Sequence, residues 1–350
     1  MAKEINTHMR ESYESESSRL TLGLYVHIPF CRHKCEYCDF NSGPFNKKSR
    51  RDYLRALQDE ILTSPWKLCT AKTIYFGGGT PSELSVKELR QLVTCVDRTF
   101  NPVLYGERTI ECNPDSLNLK TLTAYKNMHF NRISLGIQSF NDQQLHDLGR
   151  THSSMESKQC YKKARRAGFQ NINIDLLFAL PGQTLDDWKS DLHQAISLAP
   201  EHLSLYGLTI EPKTLLGSRF SRGKLPKFNE NLEASMYELA MDLTKDAGYQ
   251  QYEISSYAKP GRQCSHNLIY WHNQPYLGFG LSAASFINGS RWTNTGNFSN
   301  YWSSVQHGSV THDTEETLAP EAALREEIML ELRTTTGFST IELSSRYSLD

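Results

Sequence analysis

A sixfold alternation constrains this chain more than any other feature. Short apolar runs at 22–28, 73–78, 108–112, 132–138, 171–178 and 202–210 are separated by stretches of a different period. The runs are rich in Ile, Leu, Tyr and Phe, as strands buried on both faces are. In the intervening segments at 53–62, 86–96, 122–128, 155–168 and 185–199, apolar residues recur three and four apart, the helical spacing. Gly168 is placed to end one helix and Thr184 to cap the start of the next. Repeated strand–helix units on one sheet imply right-handed crossovers and a parallel α/β sheet, open or barrel-like; six units fall short of the eight of a closed barrel. A further helical stretch at 231–248 reads as a bridge to a smaller domain at 249–350, where aromatics and Asn are frequent and the alternation is less regular.

Polar chemistry is concentrated where these strands end. Ligands of parallel α/β sheets bind at the carboxyl ends of the strands. The first run leads into HIPFCRHKCEYC and the second into GGGTPS; the third ends at Glu111, just before Asn113-Pro114. The fourth ends at Gln138-Ser139, the fifth carries Asp175, and the sixth ends near Thr209 and Glu211. Six such ends predict one site across the mouth of the sheet. Gly77, Gly78 and Gly79 exceed what a tight turn needs and point to close approach of a ligand to the backbone. Arg150, in LGRTH, suits either a helix-end cation or a carboxylate clamp.

Three of the eight cysteines, Cys31, Cys35 and Cys38, fall within a single CxxxCxxC; the other five are scattered. Such clustering suits ligation of a metal or cluster in a reducing compartment rather than a disulfide framework. Three thiolates with one open position fit a [4Fe–4S] cluster. Zinc with His33 or Asp39 as fourth ligand is the alternative that the spacing leaves open. HNLIYW (266–271) gathers an imidazole, an amide and two aromatics, a set that suits either haem or an ordinary packed interior.

The formal net charge of −1 does not suggest a polyanion binder, so nucleic acid is not an expected partner. No apolar run approaches the roughly 18 residues of a membrane span, and residues 1–20 are polar with no apolar signal core, which reads as a disordered leader of a cytoplasmic protein.

In order along the chain, YVHIPFCRHKCEYCDF, GGGTPS, ECNP, NRISLGIQSFND, LGRTH, NIDLLFALPGQT, LTIEP, YEISSYAKPG and HNLIYW resemble the radical SAM superfamily. The likeness runs from about Leu22 to Thr336 and is nearest to the coproporphyrinogen III dehydrogenase-like branch, in particular its haem-chaperone group. It implies a partial (β/α)6 barrel with a smaller C-terminal α+β domain. It also implies that Cys31, Cys35 and Cys38 ligate three irons of a [4Fe–4S] cluster whose fourth iron takes S-adenosylmethionine. Tyr25, Tyr37, Gly78, Gly79, Thr80, Glu111, Gln138, Arg150, Asp175 and Thr209 match cofactor-contacting positions of the branch.

Two kinds of protein share this branch. The dehydrogenases carry a further cysteine in a CxC after the third ligand, whereas Asp39-Phe40 follows Cys38 here. That difference and HNLIYW resemble the haem chaperones, which implies binding of haem and its transfer to acceptor haem proteins, membrane-bound acceptors included. The alternative is a radical SAM oxidoreductase acting on a porphyrinogen. Where the branch usually has histidine in GxGxGAHS, this chain has Ala284; Gly207 replaces a common glutamine and Lys213 a common glycine. The loss at 284 leaves His266, with Tyr270 and Trp271, as the haem candidates.

Overall fold

The computed structural model describes residues 20–347; the leader expected at 1–20 lies outside the described residues apart from Leu20. In chain order the first part runs β1 (Thr21–Ile28), α1 (Lys47–Thr63), β2 (Thr70–Gly78), α2 (Val86–Thr99), β3 (Asn101–Cys112), α3 (Leu119–Asn127), β4 (Arg132–Gln138), α4 (Asp142–Asp147), α5 (Ser154–Arg166), β5 (Ile172–Phe178), α6 (Leu185–Ser197) and β6 (His202–Gly207). It continues through α7 (Leu215–Ser221), α8 (Glu230–Asp246), β7 (Gln250–Gln251), β8 (Ser256–Ala258), α9 (Ser265–Trp271), β9 (Tyr276–Phe279), β10 (Ala284–Ile287), β11 (Ser290–Asn294), α10 (Phe298–Gln306), β12 (His312–Thr317), α11 (Pro320–Glu331) and α12 (Thr340–Tyr347). These elements form two compact units, one holding the chain up to Phe30, Phe45–Arg108 and the residues from Ser265, the other Cys31–Pro44 and Thr109–Cys264. The segment 249–350 is therefore shared between them.

In the first unit β1 is central. It pairs in parallel with β2 on one side and with β9 on the other, and β9, β10, β11 and β12 continue as an antiparallel run. Leu22, Leu24, Val26 and Ile28 all point to one face of β1 and are buried. Tyr53, Leu57 and Ile61 of α1 and Leu89, Leu92 and Val96 of α2 are buried as well, at helical spacing. Asn46 caps α1 by accepting from Ser49 N, and Ser85 with Glu88 forms a capping box on α2.

In the second unit β3, β4, β5 and β6 lie in parallel, and β6 then pairs antiparallel with β8. One face is apolar: Ile133, Leu135, Ile172, Ile174, Leu176, Leu203 and Leu205 are buried. The other carries Ser134, Asn173, Asp175, His202 and Ser204, so strict alternation puts polar groups on the side opposite the core. Gly168 ends α5 in a left-handed conformation at φ 91°, and Thr184 with Asp187 forms a capping box on α6, both as the sequence predicts.

Candidate functional site

Three residues after β1 the chain enters the cysteine loop. Cys31 N donates to Gly43 O at 2.9 Å and Cys38 N to Cys35 O at 3.2 Å, so the loop closes on itself. The three thiols are half-buried and unpaired by disulfides. Cys38 Sγ lies 3.9 Å from Ser42 Oγ, and burial pushes the Cys38 thiol up from its ordinary value.

The LGR of LGRTH grips this loop. Glu36 N donates to Leu148 O at 3.1 Å, and Leu216 N, in the first turn of α7, donates to Glu36 O at 2.8 Å. The Glu36 carboxylate pairs with Arg219 of the same helix. Gly149 turns at φ 73°, and a Cβ there would lie 3.2 Å from Glu36 N; only glycine gives both the turn and the approach. Tyr37 packs on the apolar cluster of Leu148, Leu180 and Leu216. Burial pushes its hydroxyl up, against the pull of Arg150.

Arg150 joins the loop to the strand ends. Its Nη1 donates to Cys35 Sγ at 3.3 Å, and its Nη2 to Asn113 Oδ1 at 2.7 Å and Gly136 O at 2.8 Å. Burial opposes its charge, but the neighbouring Tyr37 and Cys35 hold the guanidinium protonated and its pKa raised. Its Nε is buried and makes no hydrogen bond. Gln138 sits at φ 70° after a register shift from Gly136, the kind of irregularity that re-aims a side chain. A Cβ on Gly136 would meet Gln138 Nε2 at 3.2 Å, Asn113 Oδ1 at 3.5 Å and Arg150 Nη2 at 3.6 Å. Gln138, Asn113 and Arg150 thus converge beside Gly136, and Arg150 carries the contact on to Cys35.

Asp175 lies in register with Gly136, one strand over. It accepts from Ser134 Oγ at 2.9 Å and Asn173 Nδ2 at 2.7 Å, and burial still raises its pKa. The chain of bonds continues from Asn173 Oδ1 through His202 to Tyr252. Glu111 is in register with Ser134, on the same polar row. Thr209, two residues beyond β6, is exposed.

The remaining expected cofactor contacts belong to the first unit. Tyr25, on β1, bonds His27 Nδ1 through its hydroxyl at 3.1 Å and stacks on Tyr75. Gly78 closes β2 at φ 113°, Gly79 N donates to Ile28 O at 2.8 Å, and Thr80 is buried. The same unit holds the HNLIYW helix. His266 is 1% exposed; its Nδ1 bonds Thr73 Oγ1 at 2.7 Å and its Nε2 bonds Tyr270 OH at 2.8 Å. Its ring stacks on Tyr75, while Trp271 lies under the Arg333 guanidinium. Ala284 opens β10, where it pairs with Thr293.

Residues 25–195 match the family model of the radical SAM superfamily. The chain is 39% identical over 332 residues to the heme chaperone HemW of Bacillus subtilis (strain 168), covering 93% of this chain and 87% of that protein. It belongs to the HemW family. The heme chaperone HemW of Escherichia coli (strain K12) is 42% identical over 267 residues, covering 75% of this chain and 69% of that protein, and that of Synechocystis sp. (strain ATCC 27184 / PCC 6803 / Kazusa) 36% over 331 residues, covering 92% and 80%. Among solved structures, coproporphyrinogen III oxidase (HemN) from Escherichia coli superposes with a TM-score of 0.83 at 22% identity, over 95% of this chain and 81% of that one. The fold of this HemW-family chain is thus the α/β radical SAM fold expected from its sequence. Membership in a radical SAM family implies a [4Fe–4S] cluster and S-adenosylmethionine. In this HemW-family chain Asn113, Gly136 and Gly149 also lie beside Arg150 and the cysteine loop, beyond the residues expected from the sequence. They belong to ECNP, SLGIQ and LGRTH, whose local pattern does not show which distant residues they meet.

Proposed function

We propose that this chain is a haem chaperone that carries a [4Fe–4S] cluster on Cys31, Cys35 and Cys38, with S-adenosylmethionine on the cluster, and hands haem to acceptor haem proteins. The observation that carries the reading is the likeness to proteins named heme chaperone HemW over 93% of this chain and 87% of the relative. The local chemistry fits the cluster. The loop offers three soft, half-buried thiols, and a cubane binds each thiolate through a separate iron. The unpaired Nε of Arg150 beside Cys35 is a donor that a carboxylate would satisfy, which suits the amino-acid end of S-adenosylmethionine. Within the second unit Tyr37, Glu111, Gln138, Asp175 and Thr209 are the further proposed cofactor contacts; in the first unit Tyr25, Gly78, Gly79 and Thr80 are the positions the sequence matches to such contacts. Bound S-adenosylmethionine supplies one-electron chemistry to such a site; the protein orients it and excludes competing reactions.

Haem is the cargo, and His266, Tyr270 and Trp271 are its proposed contacts. His266 spends both ring nitrogens inside the fold, so ligation through Nε2 requires the Tyr270 hydroxyl to leave. A cytoplasmic location is part of the proposal; no described helix is long and apolar enough to cross a membrane.

Anaerobic reconstitution followed by haem titration tests the reading. The expected protein is brown, holds about four irons and four sulfides, and binds haem with a shifted Soret band. A colourless protein that takes up zinc tightly, or one with no haem-dependent spectral change, overturns it. Formation of protoporphyrinogen IX from coproporphyrinogen III by the reduced protein would favour the oxidoreductase instead.

A further inference from the structure

We infer that Arg150 tunes the cluster through the sulfur of Cys35, in addition to any contact with the cofactor. The inference rests on the proposal that Cys35 is a cluster ligand. Three observations support it. The Nη1–Sγ distance of 3.3 Å is within hydrogen-bonding range for sulfur, and the donor is a cation. The guanidinium is fixed in orientation by two bonds from its other nitrogen, to Asn113 Oδ1 and Gly136 O, so it is not free to swing away from the thiolate. Its place is built into the fold: Arg150 and Asn113 meet beside Gly136, whose carbonyl accepts from the guanidinium, and the Leu148–Glu36 bond sets the cysteine loop against the same turn.

A hydrogen bond and a positive charge at a ligand sulfur stabilise the reduced, more negative cluster and raise its potential. The couple is a one-electron one, [4Fe–4S]2+ to [4Fe–4S]1+. Arg150 offers Nη1 to Cys35 while its Nε stays unbonded, so one guanidinium is placed to touch both the cluster ligand and a bound carboxylate. Occupation of Nε would polarise the same group that bonds Cys35, which links cofactor binding to cluster potential.

The test is a redox titration of the reconstituted full chain without S-adenosylmethionine, with dithionite as electron donor and the reduced cluster read by electron paramagnetic resonance. Wild type, Arg150→Lys and Arg150→Gln are compared at equal iron content. The midpoint falls for Arg150→Gln, and Arg150→Lys, which keeps the charge but loses the fixed fork, lies between the two. A midpoint for Arg150→Gln equal to wild type overturns the inference. Should Arg150→Gln lose its cluster, Arg150→Lys decides, and a wild-type midpoint there overturns it. Failure of the wild-type protein to take up iron and sulfide would instead remove the cluster reading itself.

Discussion

Gly78 lies directly beneath the imidazole of His27: a Cβ at residue 78 would sit 2.6 Å from two atoms of that ring. The backbone there is also at φ 113°, a conformation that side chains resist. His27 cannot yield easily, because it is buried and tied to Tyr25 through Nδ1. Gly78→Ala is therefore expected to cost about 1–3 kcal/mol, from overpacking and backbone strain together. Chemical denaturation of the two proteins measures it, and equal midpoints would show that His27 moves aside freely. The GGGTPS run thus has a packing reason for at least one of its glycines, alongside the ligand approach expected from its sequence.

Gly149 makes the corresponding prediction for the cysteine loop. A methyl group there would press on Glu36 N and strain a turn at φ 73°. Gly149→Ala is expected to loosen the Glu36–Leu148 bond and with it the loop between Cys35 and Cys38. The measurement is the rate at which reconstituted iron is lost to a chelator, expected to rise several-fold with little change in helix content. An unchanged rate would mean that the loop is held by Arg219 and the α7 contacts alone.

Much of this architecture was readable in advance, and the unread part has a physical cause. Strands 132–138 and 171–178 and the caps at Gly168 and Thr184 follow from local patterning, which acts over a few residues. The pairing of β1 with β9 joins residues some 250 apart in the chain, and nothing local in Tyr276–Phe279 announces a parallel partner. The cysteine loop and Arg150 are identifiable as motifs, but their meeting through a sulfur hydrogen bond is not, because it joins residues 115 apart in the chain.

Glu60 gives the fold a pH dependence. Its carboxylate is buried on α1 and accepts from Gly280 N at 2.8 Å, Asn294 Nδ2 at 2.7 Å and Tyr301 OH at 2.6 Å. Burial outweighs these bonds and pushes its pKa from 4.5 up to about 7. A carboxyl raised in the folded state favours folding while it is protonated. Its contribution is full below pH 4.5 and is lost as the pH rises to about 7, a swing of about 3 kcal/mol. Glu60→Gln cannot ionise, so the difference in stability between variant and wild type should move in favour of the variant from pH 5 to pH 7.5. Thermal unfolding at a series of pH values reads this, and a constant difference would mean that Glu60 stays ionised throughout.

Tyr270 is the last and sharpest handle on the proposed haem site. Its hydroxyl occupies Nε2 of His266 while Thr73 holds Nδ1. If haem iron takes His266, it takes the nitrogen that Tyr270 covers, and every binding event must first break that bond. Removing the hydroxyl removes that competition while leaving the ring to pack against Tyr276. A buried hydrogen bond of this kind contributes about 1 kcal/mol net, so Tyr270→Phe should tighten haem binding roughly fivefold. His266→Ala should abolish the histidine-ligated Soret band altogether. If Tyr270→Phe binds haem no better than wild type and His266→Ala keeps the band, then His266 serves only to pin α9 to β2 and the axial ligand lies elsewhere.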